Sequence, residues 1–484
     1  MEAKPPFLYA VLVVLLAGWS VPTHAQAPNT GASSVQRARL HLSAADWRSA
    51  AKAASGIRVD EAVRLRRGAD TGTVLSSVIG LPFPANAVGL HWDADVPDGA
   101  DLRIELRTST DRSTWTEWVI LPHRTPVSAP PSDAEHAASY VGDVAAGPLL
   151  VKPGTRYVQA RLTLQATDTA SPTLQRLSFH VINSTDGPAP PKDIRGPGGT
   201  ADTSKPRIYA RSEWGAQPPS QGYQYERATH LAIHHTATAS AGAADTWTDC
   251  AAAVRAIQDF HMNTRGWIDI GYNYLVCQTG AIFQGREDGN PTRDVVAAHD
   301  GYNDGSVGTA GLGYFHPPEN QQPTPSLIDS FVDLFAWIAQ RRRIRPRGFS
   351  FYEGYGRTFR TIYGHRDIKA TACPGDLFYP KRSAIVRRVD DRVDLPPTTT
   401  TVSRNIPNPA RSQTRFELAL SAQTSVTLQV YDLLGRRVAT RRYGSFSPGT
   451  HEVHVRTANW AAGTYPYRLV LDEQTKTGSI EVVR

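Results

Sequence analysis

Leu231-Ala232-Ile233-His234-His235-Thr236 is a short apolar run that ends in two histidines. It reads as a buried strand delivering imidazoles at its end. On either side the texture is mixed α/β, from about residue 207 to 390. Asp249 is positioned to cap a helix that continues through Val254, Ile257 and His261, spaced three and four apart. Gly271-Tyr272-Asn273-Tyr274-Leu275-Val276 reads as a second strand. Ser326 is expected to start a second helix, with Asp329 at the far end of a capping box and Leu327, Phe331, Leu334, Phe335 and Ile338 as its apolar face. That helix closes on Arg341-Arg342-Arg343, then Arg345-Pro346. Cations suit a helix C-terminus and proline stops helices, so the arginine run reads as structural and no nucleic-acid partner is expected.

Within this region His234, His365 and Cys373 are candidate metal ligands. Zinc accepts imidazole and thiolate together, and three protein ligands leave a fourth position for water. Bound there, zinc lowers the pKa of that water to about 7. Spacing alone leaves the alternative open, a scattered surface histidine or a buried free cysteine, because fifteen histidines offer many chance pairs.

Five motifs occur in order. They are Ser212-Glu213-Trp214-Gly215-Ala216, His234-His235-Thr236-Ala237-Thr238, Trp267-Ile268-Asp269-Ile270-Gly271-Tyr272-Asn273-Tyr274, Gly285-Arg286, and His365-Arg366-Asp367 followed by Thr371-Ala372-Cys373-Pro374-Gly375. Together they resemble the type 2 N-acetylmuramoyl-L-alanine amidase family, which includes the peptidoglycan recognition proteins. The resemblance spans roughly 207–390. It implies a central mixed sheet flanked by helices, with zinc at the floor of a substrate groove. It makes His234, as the first of the pair, the zinc ligand together with His365 and Cys373. It makes Tyr272 and Thr371 catalytic, Thr371 lying near the scissile carbonyl. It places His235, Trp267, His299 and Asn303 on the substrate side. The implied reaction is hydrolysis of the amide between the lactyl group of N-acetylmuramic acid and L-alanine in peptidoglycan. No Glu stands out as a proton shuttle. The alternatives are a recognition protein that binds muramyl peptides without cutting them, and a surface adhesin.

The 484 residues suggest about three domains. With 40% apolar and 20% charged residues, the composition excludes a disordered chain. Met1-Glu2-Ala3-Lys4, an apolar run from Phe7 to Gly18, and Thr23-His24-Ala25 read as a signal peptide over 1–25. No later segment is apolar enough to span a membrane as a helix. The expected location is outside the cytoplasm, where disulfides are allowed. Cys250 at the start of the predicted helix and Cys277 at the end of the second strand are then expected to pair, two free thiols being the alternative. Cys373 is left for the metal.

Residues 26–190 alternate in Leu102-Arg103-Ile104-Glu105-Leu106-Arg107-Thr108 and in Tyr157-Val158-Gln159-Ala160-Arg161-Leu162-Thr163-Leu164, as half-buried strands do. They suggest an accessory β-sandwich. Trp115 and Trp118 there suit either sugar stacking or the core. Pro- and Gly-rich stretches over 191–206 and 391–403 read as linkers. Residues 404–484 regain strand texture, as in Val426-Thr427-Leu428-Gln429-Val430-Tyr431, and suggest an Ig-like β-sandwich. Asn408-Pro409, Val430-Tyr431-Asp432-Leu433-Leu434-Gly435-Arg436-Arg437-Val438 and Ala462-Gly463-Thr464-Tyr465 resemble the C-terminal sorting domain of type IX secretion. That resemblance implies the type IX machinery as a partner and export across inner and outer membranes. The net charge of +7 is compatible with an anionic wall and equally with solubility. A monomer is the default.

Overall fold

The alternation of buried side chains decides which helix lies on which face of the central sheet. In the computed structural model, six strands form it: β1 (Ile208–Tyr209), β2 (His230–His235), β3 (Tyr274–Val276), β4 (Ile282–Gln284), β5 (Ser306–Gly311) and β6 (Ile362–Gly364). Their spatial order is β1-β4-β3-β5-β2-β6. Only the β3–β4 pair is antiparallel, so the sheet is mixed, as expected. Leu275 and Phe283 point to helix α1 (Trp247–Asn263). Tyr274, Val276, Ile282, Leu231 and Ile233 point to the other face, under α2 (Pro325–Arg342) and α3 (Arg382–Asp390). The structure describes residues 35–484 apart from 43–45, 49–53, 121–142, 145–146, 195–202, 239–243, 288, 291, 298–300 and 473. The predicted signal peptide, His299 and part of the 191–206 linker lie outside the described residues.

Three local expectations need correction. Thr246, not Asp249, caps α1: its hydroxyl accepts the Asp249 N–H at 3.2 Å, while the Asp249 carboxylate reaches back to the Thr246 N–H. The capping box is real, but Asp249 is its inner member. Helix α2 starts one residue earlier than Ser326, at Pro325, where a missing N–H costs nothing, and Thr324 caps it. Asp329 instead pairs with Arg388 of α3 at 2.7 Å. Strand β3 begins at Tyr274, so Tyr272 lies in the loop before it. At the end of α2, Arg342 is buried against Asp294 at 2.7 Å and Arg343 takes the left-handed C-cap, φ 58°.

Cys250 and Cys277 are disulfide-bonded, tying the first turn of α1 to the end of β3. Closing a loop of this size stabilises a fold by about 3 kcal/mol. Thiol titration of the denatured, unreduced protein should find one free thiol. The paired Cys250→Ala, Cys277→Ala variant should unfold at correspondingly lower urea.

The N-terminal strands pair into a branched, ten-stranded antiparallel network folded around one core. Two 17-residue strands join its parts. Leu149–Gln165 pairs with Ile79–Asp95 along its first half and with Asp101–Ser109 along its second. The core it encloses includes Trp92, Leu106, Leu162 and Phe179. Trp115 and Trp118 lie outside any strand and are half-exposed. They flank the Arg107 guanidinium, each 4.8 Å away, and Arg161 lies 4.4 Å over Trp118.

Helix α1 belongs to two cores at once, which explains why it is buried without a break from Cys250 to His261. Cys250, Val254 and Ile257 face the central sheet, whereas Ala256 and Phe260 join the N-terminal core. A Cβ on Gly89 would stand 2.5 Å from the Phe260 ring, so only glycine allows this approach. Arg255, buried between the two cores, donates to the Ser184 and Trp214 carbonyls at 2.9 and 2.7 Å. Phe260→Ala should destabilise the protein by about 3–5 kcal/mol, read from urea unfolding.

The C-terminal strands make two antiparallel sheets. One holds Thr401–Val402, Gln413–Leu420 and Gly449–Arg456, and the other Arg437–Phe446, Thr424–Tyr431, Gly463–Leu471 and Gln474–Val482. Phe416, Leu428, Val430, Leu469 and Ile480 fill the space between them.

Candidate metal centre

The register of the sheet builds the site. Strands β2 and β6 are parallel neighbours, with Ile233 opposite Gly364, so His234 and His365 leave the sheet side by side. Their ring centroids are 4.7 Å apart. Successive strand residues face opposite sides. His235 therefore turns away from His234 and packs its ring 5.5 Å from Tyr314.

Cys373 returns to this point through a tightly bonded loop. The Asp367 carboxylate accepts the Gly364 N–H at 2.9 Å and the Tyr379 hydroxyl at 2.5 Å. The Arg366 N–H donates to the Cys373 carbonyl at 2.9 Å, and its guanidinium pairs with Asp376 at 2.9 Å. Gly375 holds φ +103°, and a Cβ there would lie 2.4 Å from the Phe315 carbonyl oxygen. The Cys-Pro-Gly order thus has a backbone reason.

The ligand atoms of His234, His365 and Cys373 all lie within 4.8 Å of one another, and all three residues are buried. The Cys373 sulfur stands 3.6 Å from His234 Nδ1. Tetrahedral zinc with ordinary Zn–S and Zn–N lengths sets those two atoms about 3.5 Å apart. The donor set, two imidazoles and a thiolate without oxygen ligands, suits zinc rather than calcium or magnesium. The His235 backbone N–H also donates to the Cys373 sulfur, at 3.4 Å.

Tyr272 borders this cluster. Its ring lies 5.7 Å from that of His234, and its hydroxyl donates to the His235 carbonyl at 3.2 Å. Arg286 fixes the Tyr272 backbone, donating its N–H to the Tyr272 carbonyl at 2.8 Å and its Nε to Ile270 at 2.8 Å. Asp269, fully buried, anchors the same loop through Arg211 at 2.8 Å and Gln258 at 2.6 Å. Trp267 stacks 4.6 Å from His261, whose Nδ1 accepts the Gly271 N–H at 3.0 Å. The Thr371 hydroxyl accepts the Cys373 N–H at 3.2 Å.

The structure thus brings His234, His365, Cys373 and Tyr272 together, with Thr371 bonded to the cysteine. Asn303 stands apart. It precedes β5, whereas the cluster lies at the other end of the parallel β2–β5 pair, where His234 is opposite Ala310. Four strand residues separate the two ends, about 13 Å. Sequence reading missed the supporting roles of His261, Asp269 and Asp367. Asp269 and Asp367 lie inside the motifs, but only three-dimensional packing shows what they hold.

Burial also creates a pH dependence. His230 opens β2, stacks on Tyr352 at 4.4 Å, and burial pushes its imidazole from 6.5 down to about 4. The unfolded chain then takes up a proton that the folded chain refuses. The His230 contribution to stability is full above pH 6.5 and falls as the pH drops towards 4, with about 2 kcal/mol lost by about pH 5. Urea unfolding at neutral and mildly acidic pH should record this loss, and His230→Leu should reduce it.

Comparison with known proteins adds identity to geometry. Residues 224–376 match the N-acetylmuramoyl-L-alanine amidase family, and residues 406–482 match the secretion system C-terminal sorting domain. Peptidoglycan-recognition protein LB of Drosophila melanogaster is 30% identical over 180 residues, 37% of this chain and 68% of its own. Peptidoglycan-recognition protein SD of Drosophila simulans is 31% identical over 174 residues, 36% of this chain and 82% of its own. Among solved structures, peptidoglycan recognition protein-LE in complex with tracheal cytotoxin, a monomeric diaminopimelic acid-type peptidoglycan, is 28% identical. It is covered over 92% of its length by 37% of this chain, with a TM-score of 0.30.

Proposed function

Because this chain belongs to the peptidoglycan recognition protein family of N-acetylmuramoyl-L-alanine amidases, we propose that it is a secreted zinc amidase that cuts peptidoglycan between the lactyl group of N-acetylmuramic acid and L-alanine. Its type IX sorting domain directs export to the cell surface or the medium. The observation that carries the catalytic reading is the convergence of His234, His365 and Cys373 beside Tyr272. A groove that only bound muramyl peptides would need no buried thiolate at its floor.

His234, His365 and Cys373 would hold the metal. Zinc bound there supplies a Lewis acid for the scissile carbonyl and acidifies water. The hydroxyl of Tyr272, whose backbone carbonyl accepts the Arg286 N–H, donates to the oxygen on which negative charge develops. Thr371 sits two residues from the cysteine and helps orient the carbonyl and the attacking water. Trp267 and His235 support the groove around them, while Asn303, at the far end of β5, takes no part in the reaction.

Elemental analysis of the exported protein tests the metal. One zinc per chain, together with release of peptides from cell-wall sacculi, is the expected result. A zinc-free protein that binds sacculi without release would establish the recognition reading instead.

A further inference from the structure

Between α2 and β6 the chain forms a hairpin, Phe349–Tyr352 paired antiparallel with Arg357–Arg360. Its two faces differ sharply. Tyr352, Tyr355 and Phe359 turn inward and close on Tyr363 and Ile368. Phe349 and Phe351 turn outward and are 73% and 56% exposed. Being two residues apart on one strand, they share a face. Arg360 is the cross-strand partner of Phe349, and Thr358 that of Phe351.

The surroundings are cationic. Residues 341–360 hold seven arginines and a single glutamate, in a chain whose whole net charge is +7. Part of this charge is structural: Arg342 is buried against Asp294, and Arg341 lies over Trp337. Arg347, two residues before Phe349, is 58% exposed and pairs with Asp390. It also lines an open depression of about 360 Å³ with Arg382, Ser383, Val386 and Arg387. Its lining holds three arginines and no acidic residue, while Arg347 pairs with Asp390 and Arg382 lies 4.0 Å from Asp367.

Phenylalanine side chains carry no polar atom. An outward pair of them, with Arg347 two residues before and Arg360 across the strand, matches the interface of a bilayer, where apolar side chains enter beneath phosphate headgroups. Export to the cell surface brings the chain to such interfaces. We propose that the Phe349–Arg360 hairpin is a membrane-docking element, in which Phe349 and Phe351 enter an anionic bilayer while Arg347, Arg360, Arg382 and Arg387 hold its phosphates. Vesicle binding by this surface does not depend on amidase activity.

The test is co-sedimentation of the exported protein with vesicles of three parts phosphatidylcholine to one part phosphatidylglycerol. Binding should be strong on these vesicles, weak on pure phosphatidylcholine, and reduced by salt. The Phe349→Ser, Phe351→Ser variant should bind at least about tenfold more weakly. Arg347→Ala should weaken binding about fivefold. Unchanged thermal unfolding of the variants keeps the comparison interpretable whether or not peptidoglycan is cut. Three results would overturn the proposal: no vesicle binding, equal binding by the double phenylalanine variant, or retention on a DNA duplex but not on vesicles.

Discussion

Cys373→Ser should lower kcat/KM on muramyl peptides by at least about 10³-fold and strip the protein of zinc. A serine hydroxyl stays protonated at neutral pH and is a poor ligand where the thiolate was a good one. The change is nearly isosteric at a buried position, so the fold should survive it. The His235 N–H keeps an oxygen acceptor in place of sulfur. Kinetics on a soluble muropeptide, zinc content and thermal unfolding, measured on one preparation, separate loss of metal from loss of fold. A full-rate Cys373→Ser enzyme would remove the metal centre from the mechanism.

The second large effect is on Tyr272. Tyr272→Phe deletes one hydroxyl that donates to the His235 carbonyl in the resting protein. Losing a donor to a developing oxyanion typically costs about 10²–10³ in kcat, with little change in KM. Zinc content should stay the same, because the ring and the loop bonded to Arg286 remain. Equal falls in zinc and activity would mean that the tyrosine only supports the metal site.

The grouping of His234, His365 and Cys373 was legible through the ordered motifs, whereas spacing alone left a scattered histidine and a free thiol open. The need for glycine at 375 emerged only from the fold. The disulfide was legible because both cysteines lie at the ends of predictable elements. What the sequence concealed was partnership at a distance. Thr246 and Asp249 both belong to the α1 cap, and nothing local says which is the outer one. The fate of Trp115 and Trp118 depended on Arg107 and Arg161, brought together from two strands. The way the N-terminal strands join was hidden because long strands change partners midway. The second face of α1, through Ala256 and Phe260, had meaning only once the N-terminal core was in place.

Mass spectrometry of the products from a defined muropeptide, with and without a chelator, tests the proposed cleavage by a metal held on His234, His365 and Cys373. Free peptides that begin with L-alanine, together with lactyl-bearing glycan, are expected, both disappearing when the chelator is added and returning with zinc. An intact muropeptide, cleavage at another bond, or the same products in the presence of chelator would contradict the proposal.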